Sequence, residues 1–207
     1  MSGLLFVVSA ASGTGKTSLV KALLERVNNL HVYVSHTNRC QRPGELDGVH
    51  YHFSQKDDFL TLVKQDGFIE YAEVFGNYYG TAQATVKQQL AKGHDVLLEI
   101  DWQGAEQVRK LFPESKQIFI LPPSQYDLRQ RLSNRGTDSV EVIEHRLGCA
   151  VEDMQHYLNF EYLIINDDFN KALHDLECVI IANRLVLSQQ AARHGELIQK
   201  LITLDEE

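Results

Sequence analysis

The sequence predicts an α/β fold in which a central parallel sheet is covered by helices on both faces. Short apolar runs alternate along the chain with longer segments that carry apolar residues at helical spacing, as in β–α–β units. The predicted strands cover 4–9, 32–35, 96–100, 117–121 and 162–166, and the predicted helices cover 16–27, 102–112, 124–134, 139–157 and 169–190. A length of 207 residues suits one compact domain, 1–207, with its own core.

The first predicted strand runs into a loop with the composition of a phosphate-binding loop. The loop and the start of the next helix are formed by Ala10, Ala11, Ser12, Gly13, Thr14, Gly15, Lys16 and Thr17. In such a loop the glycines let backbone N–H groups curl around a phosphate, the lysine reaches its outer oxygens, and the threonine hydroxyl faces Mg²⁺. Ala10 stands where the motif has a glycine, which is a mild change if φ is negative. The loop predicts a nucleotide phosphate donor and leaves the acceptor open.

Residues 36–92 break the alternation and predict an inserted α+β subdomain between core segments 1–35 and 93–207. The insertion begins with an arginine-, proline- and glycine-rich loop at 39–45. A short strand at 51–53, a helix at 54–66, a strand at 69–74 and an aromatic turn at 76–80 follow it. Ser54 and Asp57 resemble a capping box at the start of that helix.

Composition and charge exclude several classes of function. The three cysteines are far apart without CxxC spacing, so they predict neither a metal site nor a disulfide framework. A net charge of −8 argues against broad binding to nucleic acid or anionic membranes, which requires a basic face. The chain starts without a signal-like segment, and its apolar runs are too short to span a membrane. We therefore expect a soluble, cytoplasmic protein.

Further segments with chemically apt residues follow the loop in a characteristic order and spacing. They cover 35–45, 48–53, 68–73, 76–81, 98–104, 131–139 and 165–168. Together with the loop they resemble the guanylate kinase family over essentially the whole chain. The resemblance implies a three-layer P-loop fold with a GMP-binding insertion and a helical lid at about 125–157. It also implies transfer of the γ-phosphate of ATP to GMP with Mg²⁺ as cofactor, while a monomer and a homo-oligomer both remain open.

The inserted region contains donors suited to a dianionic phosphate. Arg39 and Arg42 lie three apart in one loop and can fork onto phosphate oxygens, and Tyr51 and Tyr79 can each donate a phenolic O–H. The resemblance assigns these four residues to the phosphate of GMP. The alternative is a solvated arginine pair with tyrosines that fill a core.

Three residues of the matched segments suit a guanine edge. Guanine presents N1–H and N2–H₂ as adjacent donors and O6 as an acceptor, so the carboxylate of Glu70 complements the donors and the hydroxyls of Ser35 and Thr81 complement the rest. Adenine would turn its N1 lone pair toward Glu70, a mismatch that a hydrogen-bonding site rejects strongly. Without the resemblance, Glu70 would read as a solvent-facing strand residue.

Two carboxylates follow the apolar strand at 96–100, at the sheet edge where ligands bind in open α/β folds. Glu99 is predicted to hold hydrated Mg²⁺ beside Thr17, through water, and by resemblance Asp101 reaches the exocyclic amine of guanine. Many members of the family carry Asp at the position of Glu99, so the division between metal and base stays open. Capping of the next helix by these carboxylates is the alternative role.

Cations late in the chain complete the predicted site. Arg131 and Arg135 are spaced i,i+4, and Arg146 lies one helix further on. By resemblance these arginines belong to the lid and neutralise charge on the phosphates in transit, which is most of what phosphoryl transfer requires of a protein. Salt bridges on a helix surface are the alternative. Asn166 is predicted to contact the adenine side of ATP.

Two other functions compete with that of a GMP kinase. One is a non-catalytic interaction module of the same family, which the intact Gly15, Lys16 and Thr17 and the lid arginines disfavour. The other is a kinase of the same architecture for another phosphorylated sugar or nucleotide, which Glu70 disfavours. The chain's predicted partners are therefore ATP and GMP, without nucleic acid or membrane.

Overall fold

The structure, a computed structural model, describes residues 3–74, 76–133 and 140–203. Its strands are β1 (Leu5–Ala10), β2 (Leu30–Val32), β3 (His36–Thr37), β4 (His52–Phe53), β5 (Phe68–Val74), β6 (Asn77–Ala82), β7 (Asp95–Glu99), β8 (Lys116–Leu121) and β9 (Tyr162–Ile165). Its helices are α1 (Lys16–Arg26), α2 (Lys56–Lys64), α3 (Gln83–Ala91), α4 (Trp102–Leu111), α5 (Gln125–Ser133), α6 (Val140–Met154), α7 (Phe169–Arg184) and α8 (Leu187–Ile202), with a 3₁₀ turn at Gln155–Asn159. No helix within the described ranges is both long and apolar enough to cross a bilayer.

A parallel five-stranded sheet in the order β2-β7-β1-β8-β9 forms the centre of the described core. Helices α1 and α7 pack on one face, while α3 and α4 pack on the other. Within β1, Phe6 and Val8 point toward α1 and α7, and Leu5 and Val7 point the other way. Because both faces are buried, the strands are continuous apolar runs, and the predicted three-layer α/β fold is confirmed.

A second sheet, in the order β4-β3-β6-β5, forms the inserted region. It is antiparallel except for the short β3–β4 pair. Its strand β5 lies against α4, where the Gln107 side chain accepts a hydrogen bond from the Tyr71 N–H at 3.1 Å and donates one to the Tyr71 carbonyl at 2.8 Å. This contact brings the inserted sheet beside the carboxyl end of β7.

The predicted helix at 169–190 is confirmed only as far as Arg184. Helix α7 ends at Arg184, and α8 begins at Leu187 after an extended Val186. The Gln190 side chain donates to the Arg184 carbonyl at 2.8 Å and thereby satisfies one of the free carbonyls at the end of α7. The apolar spacing that runs across the break does not continue the core, since Leu187 is 82% exposed.

Two local predictions in the insertion also fail, and one helix was missed. Most of the predicted aromatic turn at 76–80 is strand β6, and the turn itself lies at Gly76, whose φ is 75°. The capping box is absent because α2 starts at Lys56 without a side-chain cap, and the Ser54 hydroxyl instead donates to the Thr37 carbonyl at 3.4 Å. Helix α3 was not predicted.

An ion pair between a buried carboxylate and a half-buried arginine connects the ends of several core elements. Asp95, 1% exposed at the start of β7, accepts hydrogen bonds from the Leu4 N–H and from Nε of Arg184, both at 2.7 Å. Arg184, the last residue of α7, also donates to the Asn28 carbonyl at 2.8 Å. The pair therefore joins β7, the entry to β1, the end of α7 and the loop before β2.

Replacement of Asp95 by alanine should lower the free energy of unfolding by about 3 kcal/mol, because it leaves the half-buried guanidinium of Arg184 and the Leu4 N–H without their acceptor. Urea unfolding at neutral pH measures the change. The matched control is Glu106→Ala, which breaks the exposed Glu106–Lys110 pair and should cost less than about 1 kcal/mol. Equal effects of the two variants would contradict the structural role of Asp95.

Candidate active site

The loop after β1 needs glycine at two positions. Gly13 and Gly15 have φ values of 89° and 95°, in the left-handed region that side chains disfavour. A Cβ on Gly15 would also lie 2.6 Å from the side-chain nitrogen of Asn166. Ala10 ends β1, and the described non-glycine residues with positive φ are Asn29 and Asp66, so its methyl group fits the backbone. The loop thus presents the amino end of α1 as the sequence predicts.

Two predicted site residues, Asn166 and Arg131, form hydrogen bonds to the backbone of the loop after β1. The buried Asn166 donates from its side chain to the Thr14 carbonyl at 2.6 Å. Arg131 donates to the same carbonyl at 3.2 Å and to the Asn166 carbonyl at 3.0 Å. The structure therefore gives both residues a positioning role at the loop. The predicted contact of Asn166 with adenine stays a prediction.

Lys16 connects the loop to the end of β7. Its ammonium donates to the Ile100 carbonyl at 2.9 Å. Burial of the ammonium lowers the pKa of Lys16, and the nearby carboxylates of Glu99 and Asp101 oppose that shift. The Thr17 hydroxyl donates to the Glu99 carboxylate, so two oxygen groups of the kind that Mg²⁺ prefers are in contact. Thr17 and Glu99 therefore fit the metal role predicted for them.

Asp101 lies at the junction of β7 and α4 and caps that helix. Its Oδ1 accepts a hydrogen bond from the Gly104 N–H at 2.8 Å. The capping alternative is thus realised for Asp101, whereas Glu99 turns toward Thr17. The contact of Asp101 with guanine stays a prediction. Asp101 is nevertheless close enough to Glu70 for its negative charge to raise the pKa of the Glu70 carboxyl.

Glu70, Thr81 and Ser35 converge as the sequence predicts. Glu70 is only 4% exposed on β5, and its carboxylate accepts from the Thr81 hydroxyl at 2.6 Å. The Ser35 and Thr81 hydroxyl oxygens are 3.4 Å apart. A Cβ on Gly104 would lie 2.8 Å from Oε2 of Glu70, so α4 approaches the carboxylate closely through a glycine. Gly104 is a site residue that sequence reasoning missed.

Burial raises the pKa of Glu70 to about 7, and the negative charge of Asp101 adds to this rise. The hydrogen bonds from Thr81 and the positive charge of Lys16 oppose it. A carboxyl group near neutrality in a buried polar setting is typical of a ligand-binding or catalytic position.

Arg39 is held in the 39–45 loop by Glu45. Its Nη2 donates to both carboxylate oxygens of Glu45, at 2.7 and 3.0 Å, and its Nη1 donates to the Cys40 carbonyl at 2.7 Å. The Glu45 carboxylate also accepts from the Arg42 N–H at 2.8 Å. Hydrogen bonding to Glu45 raises the pKa of Arg39, and hydrogen bonding to Arg39 lowers the pKa of Glu45.

Two tyrosines adjoin this arginine, as predicted. The guanidinium of Arg39 lies 5.4 Å from the centre of the Tyr51 ring, and the Tyr51 and Tyr79 rings meet edge to face at 5.8 Å. The Arg42 side chain is exposed. Glu45 is a second residue that sequence reasoning missed, although an isolated carboxylate three positions after Arg42 in a basic loop was a visible signal.

Helices α5 and α6 lie beside the loop. Leu128 and Leu132 of α5 pack with Ala150 of α6 and with Ala11 of the loop. Arg146 of α6 donates to the Ser12 hydroxyl at 3.0 Å. The third predicted lid cation, Arg135, lies outside the described residues.

Comparison with known proteins agrees with this geometry. A model of the guanylate kinase family matches residues 2–183. The chain belongs to the guanylate kinase family. It is 82% identical to a guanylate kinase of Acinetobacter baylyi over the full length of both chains, and 57% identical to one of Psychrobacter arcticus over 98% of both. A crystal structure of guanylate kinase from Anaplasma phagocytophilum superposes with a TM-score of 0.79 at 30% identity, covering 98% of this chain and 97% of that one.

These findings confirm the family resemblance and the fold class that the sequence predicts. They also favour a kinase over the interaction module, since the relatives in question are named as enzymes. The roles of individual residues and the boundaries of the inserted subdomain and lid remain predictions.

The pKa of Glu70 predicts how stability depends on pH. The unfolded carboxyl titrates near 4.5 and the folded one near 7, so the stabilising contribution is complete below pH 4.5 and is lost as pH rises through 7. Relative to Glu70→Gln, the wild type should lose about 3 kcal/mol between pH 4.5 and about pH 9. Urea unfolding of both proteins across this range measures the difference. Parallel pH profiles would show that Glu70 titrates normally.

Proposed function

We propose that this chain transfers the γ-phosphate of ATP to GMP in the presence of Mg²⁺, giving ADP and GDP, and that it acts in the cytoplasm. The observation that carries the proposal is the segment 99–104, which adjoins both halves of the site. Its Ile100 carbonyl accepts a hydrogen bond from Lys16 of the loop, and a Cβ on its Gly104 would lie 2.8 Å from Oε2 of the buried Glu70. A phosphate-binding loop and a guanine-reading edge thus share one turn.

On the donor side, the N–H groups at 10–15 and the ammonium of Lys16 bind the ATP phosphates. Thr17 and Glu99, the latter through water, would hold Mg²⁺, which would supply positive charge to the phosphates. Asn166 and Arg131 support this arrangement by fixing the Thr14 carbonyl. Transfer then depends on the alignment of two anions and needs no general base on a phosphate acceptor.

On the acceptor side, Arg39, Arg42, Tyr51 and Tyr79 bind the GMP phosphate. Glu70 accepts hydrogen bonds from guanine N1–H and N2–H₂, with Ser35, Thr81 and Asp101 on the remaining edge. Ionised Glu70 is the form that accepts both bonds, while burial holds its pKa at about 7. Binding of GMP therefore draws a proton off Glu70.

The inserted region 36–92 and the lid at about 125–157 act as moving parts around the core. Their closure excludes water, which would otherwise accept the phosphoryl group. Arg131, Arg135 and Arg146 then neutralise the charge that spreads over the phosphates during transfer. The hydrogen bond from Arg146 to the Ser12 hydroxyl supports this assignment, because Ser12 belongs to the loop after β1.

A coupled assay of ADP release tests the proposal. The purified protein should turn over GMP at least about a hundredfold more efficiently than AMP, CMP or UMP. In Glu70→Gln the preference for GMP over AMP should fall sharply, because the amide donates where guanine also donates, while the KM for ATP stays within about twofold. Equal rates with all four nucleotides would overturn the function, and equal losses for GMP and AMP would overturn the role of Glu70.

Glu45→Gln should raise the KM for GMP about tenfold and leave the KM for ATP unchanged. One of the two carboxylate oxygens that accept from Nη2 of Arg39 is replaced by an amide nitrogen, which is a donor facing the donors of the guanidinium. Steady-state kinetics with each nucleotide varied in turn measure both constants. Glu106→Gln, remote on α4, is the matched control and should leave both unchanged. Similar rises in the two constants would point to a general loss of structure.

A further inference from the structure

Three side chains form a joint between α4 and the end of α6, apart from the residues assigned above. The indole Nε1 of Trp102 donates to Oδ1 of Asp153 at 3.0 Å. The ring of His156 stacks on the indole with centroids 3.4 Å apart and planes inclined by 8°. All three residues are half buried. We refer to Trp102, Asp153 and His156 as the Trp102 joint.

The joint lies between the two halves of the site. On one side, Trp102 directly follows Asp101, the residue that caps α4. In the same helix, a Cβ on Gly104 would lie 2.8 Å from Oε2 of Glu70. On the other side, Asp153 lies two helical turns beyond Arg146 on the same face of α6, and Arg146 contacts Ser12 of the phosphate loop. One end of the joint is thus at the guanine edge, and the other is on the helix that carries a lid cation.

The contacts of the joint are directional. An indole has a single N–H donor, so the hydrogen bond from Trp102 to Asp153 fixes the rotation of α6 about its own axis. The parallel stacking of the Trp102 and His156 rings fixes the distance between α6 and α4. Burial raises the pKa of Asp153, and the hydrogen bond from Trp102 opposes this rise. Both effects are expected for a partly buried carboxyl group that accepts a hydrogen bond from an indole. Elsewhere α6 packs on α5, within the predicted lid, through Ile143, Leu147 and Ala150.

We propose that Trp102 and Asp153 are positioning residues for phosphoryl transfer: the Trp102 joint fixes the angle at which α6 presents Arg146 to the phosphate loop. The inference rests on the proposed function. The first turn of α4 also lies beside Glu70, the residue proposed to bind guanine. The same helix therefore supports both the position of α6 and the recognition of the base. Loss of the joint therefore lowers kcat, since Arg146 acts on the phosphates in transit, and leaves nucleotide binding almost intact.

Two variants remove the hydrogen bond and one retains it. Trp102→Phe removes the donor and Asp153→Leu removes the acceptor, and each should lower kcat about tenfold with KM values for ATP and GMP within about threefold of wild type. Asp153→Asn keeps an acceptor and should recover kcat to within about threefold. Glu152→Leu, an exposed neighbour on α6, is the matched control and should leave kcat unchanged. All rates are measured well below the melting temperature of each variant.

The same variants distinguish the joint from an effect of charge and from an effect on folding alone. Asp153 also lies close enough to Lys16 to raise the pKa of that ammonium, so its charge by itself is a competing cause. If the charge matters, Asp153→Asn falls as far as Asp153→Leu, which overturns the proposal. If Asp153 only stabilises the fold, Asp153→Leu melts earlier but keeps full kcat, which also overturns it. In Trp102→Phe/Asp153→Leu the losses should not multiply, whereas multiplication would show independent effects and overturn the joint.

A binding experiment tests the joint without turnover. Trp102 is the single tryptophan of the chain, so the intrinsic emission reports on it alone. GMP with a non-hydrolysable ATP analogue should shift the emission of the wild type and of Glu152→Leu, and this shift should be lost in Asp153→Leu. Equal shifts in all three proteins overturn the joint. A wild type that binds and shifts but does not phosphorylate GMP overturns the proposed function instead.

Discussion

The buried ammonium of Lys16 and the carboxylates around it are the interaction on which the rest of the site depends. Burial lowers the pKa of this lysine, and four carboxylates oppose the shift, those of Glu99, Asp101, Glu70 and Asp153. They come from the end of β7, the inserted sheet and α6. A desolvated cation is tolerable only where such charges compensate it, so the donor loop is electrostatically tied to the acceptor region and to the lid helix. In return, the positive charge of Lys16 opposes the rise in the pKa of Glu70, so the phosphate loop and the inserted sheet interact electrostatically in both directions.

Close approach of the backbone is the second constraint, and glycines satisfy it. Gly15 lies against Asn166 under the phosphate loop, and Gly104 lies against Glu70 inside the first turn of α4. Glycine in a helix lowers stability relative to alanine, so its presence at Gly104 follows from the carboxylate that it accommodates. Gly104 thus breaks a local rule of stable structure where the site needs space, which is where such exceptions are expected in a functional protein.

Sequence reasoning succeeded where a single physical rule decides the outcome. The strands of the core were predicted to within a residue or two at most ends, because burial on both faces leaves continuous apolar runs. The end of α7 and strand β6 were missed because tertiary contacts decide them: a Gln190 side chain that caps α7, and a pairing of β6 with β5. Likewise the family resemblance grouped Ser35, Glu70 and Thr81, whereas the grip of Glu45 on Arg39 and the place of Asn166 under the loop required the fold.

The cations of the site are pre-oriented by protein oxygens. Lys16 donates to the Ile100 carbonyl, Arg131 to the Thr14 and Asn166 carbonyls, and Arg39 to Glu45. An arginine has five N–H donors and an ammonium has three, so each group keeps further donors after these bonds are made. A neutral carbonyl orients a cation and leaves most of its positive charge available to a phosphate. The Glu45 carboxylate fixes the geometry of Arg39 but also neutralises part of its charge. Ordering these long side chains during binding would cost free energy. Because the fold already fixes them, the cations can align the two phosphates and not only attract them.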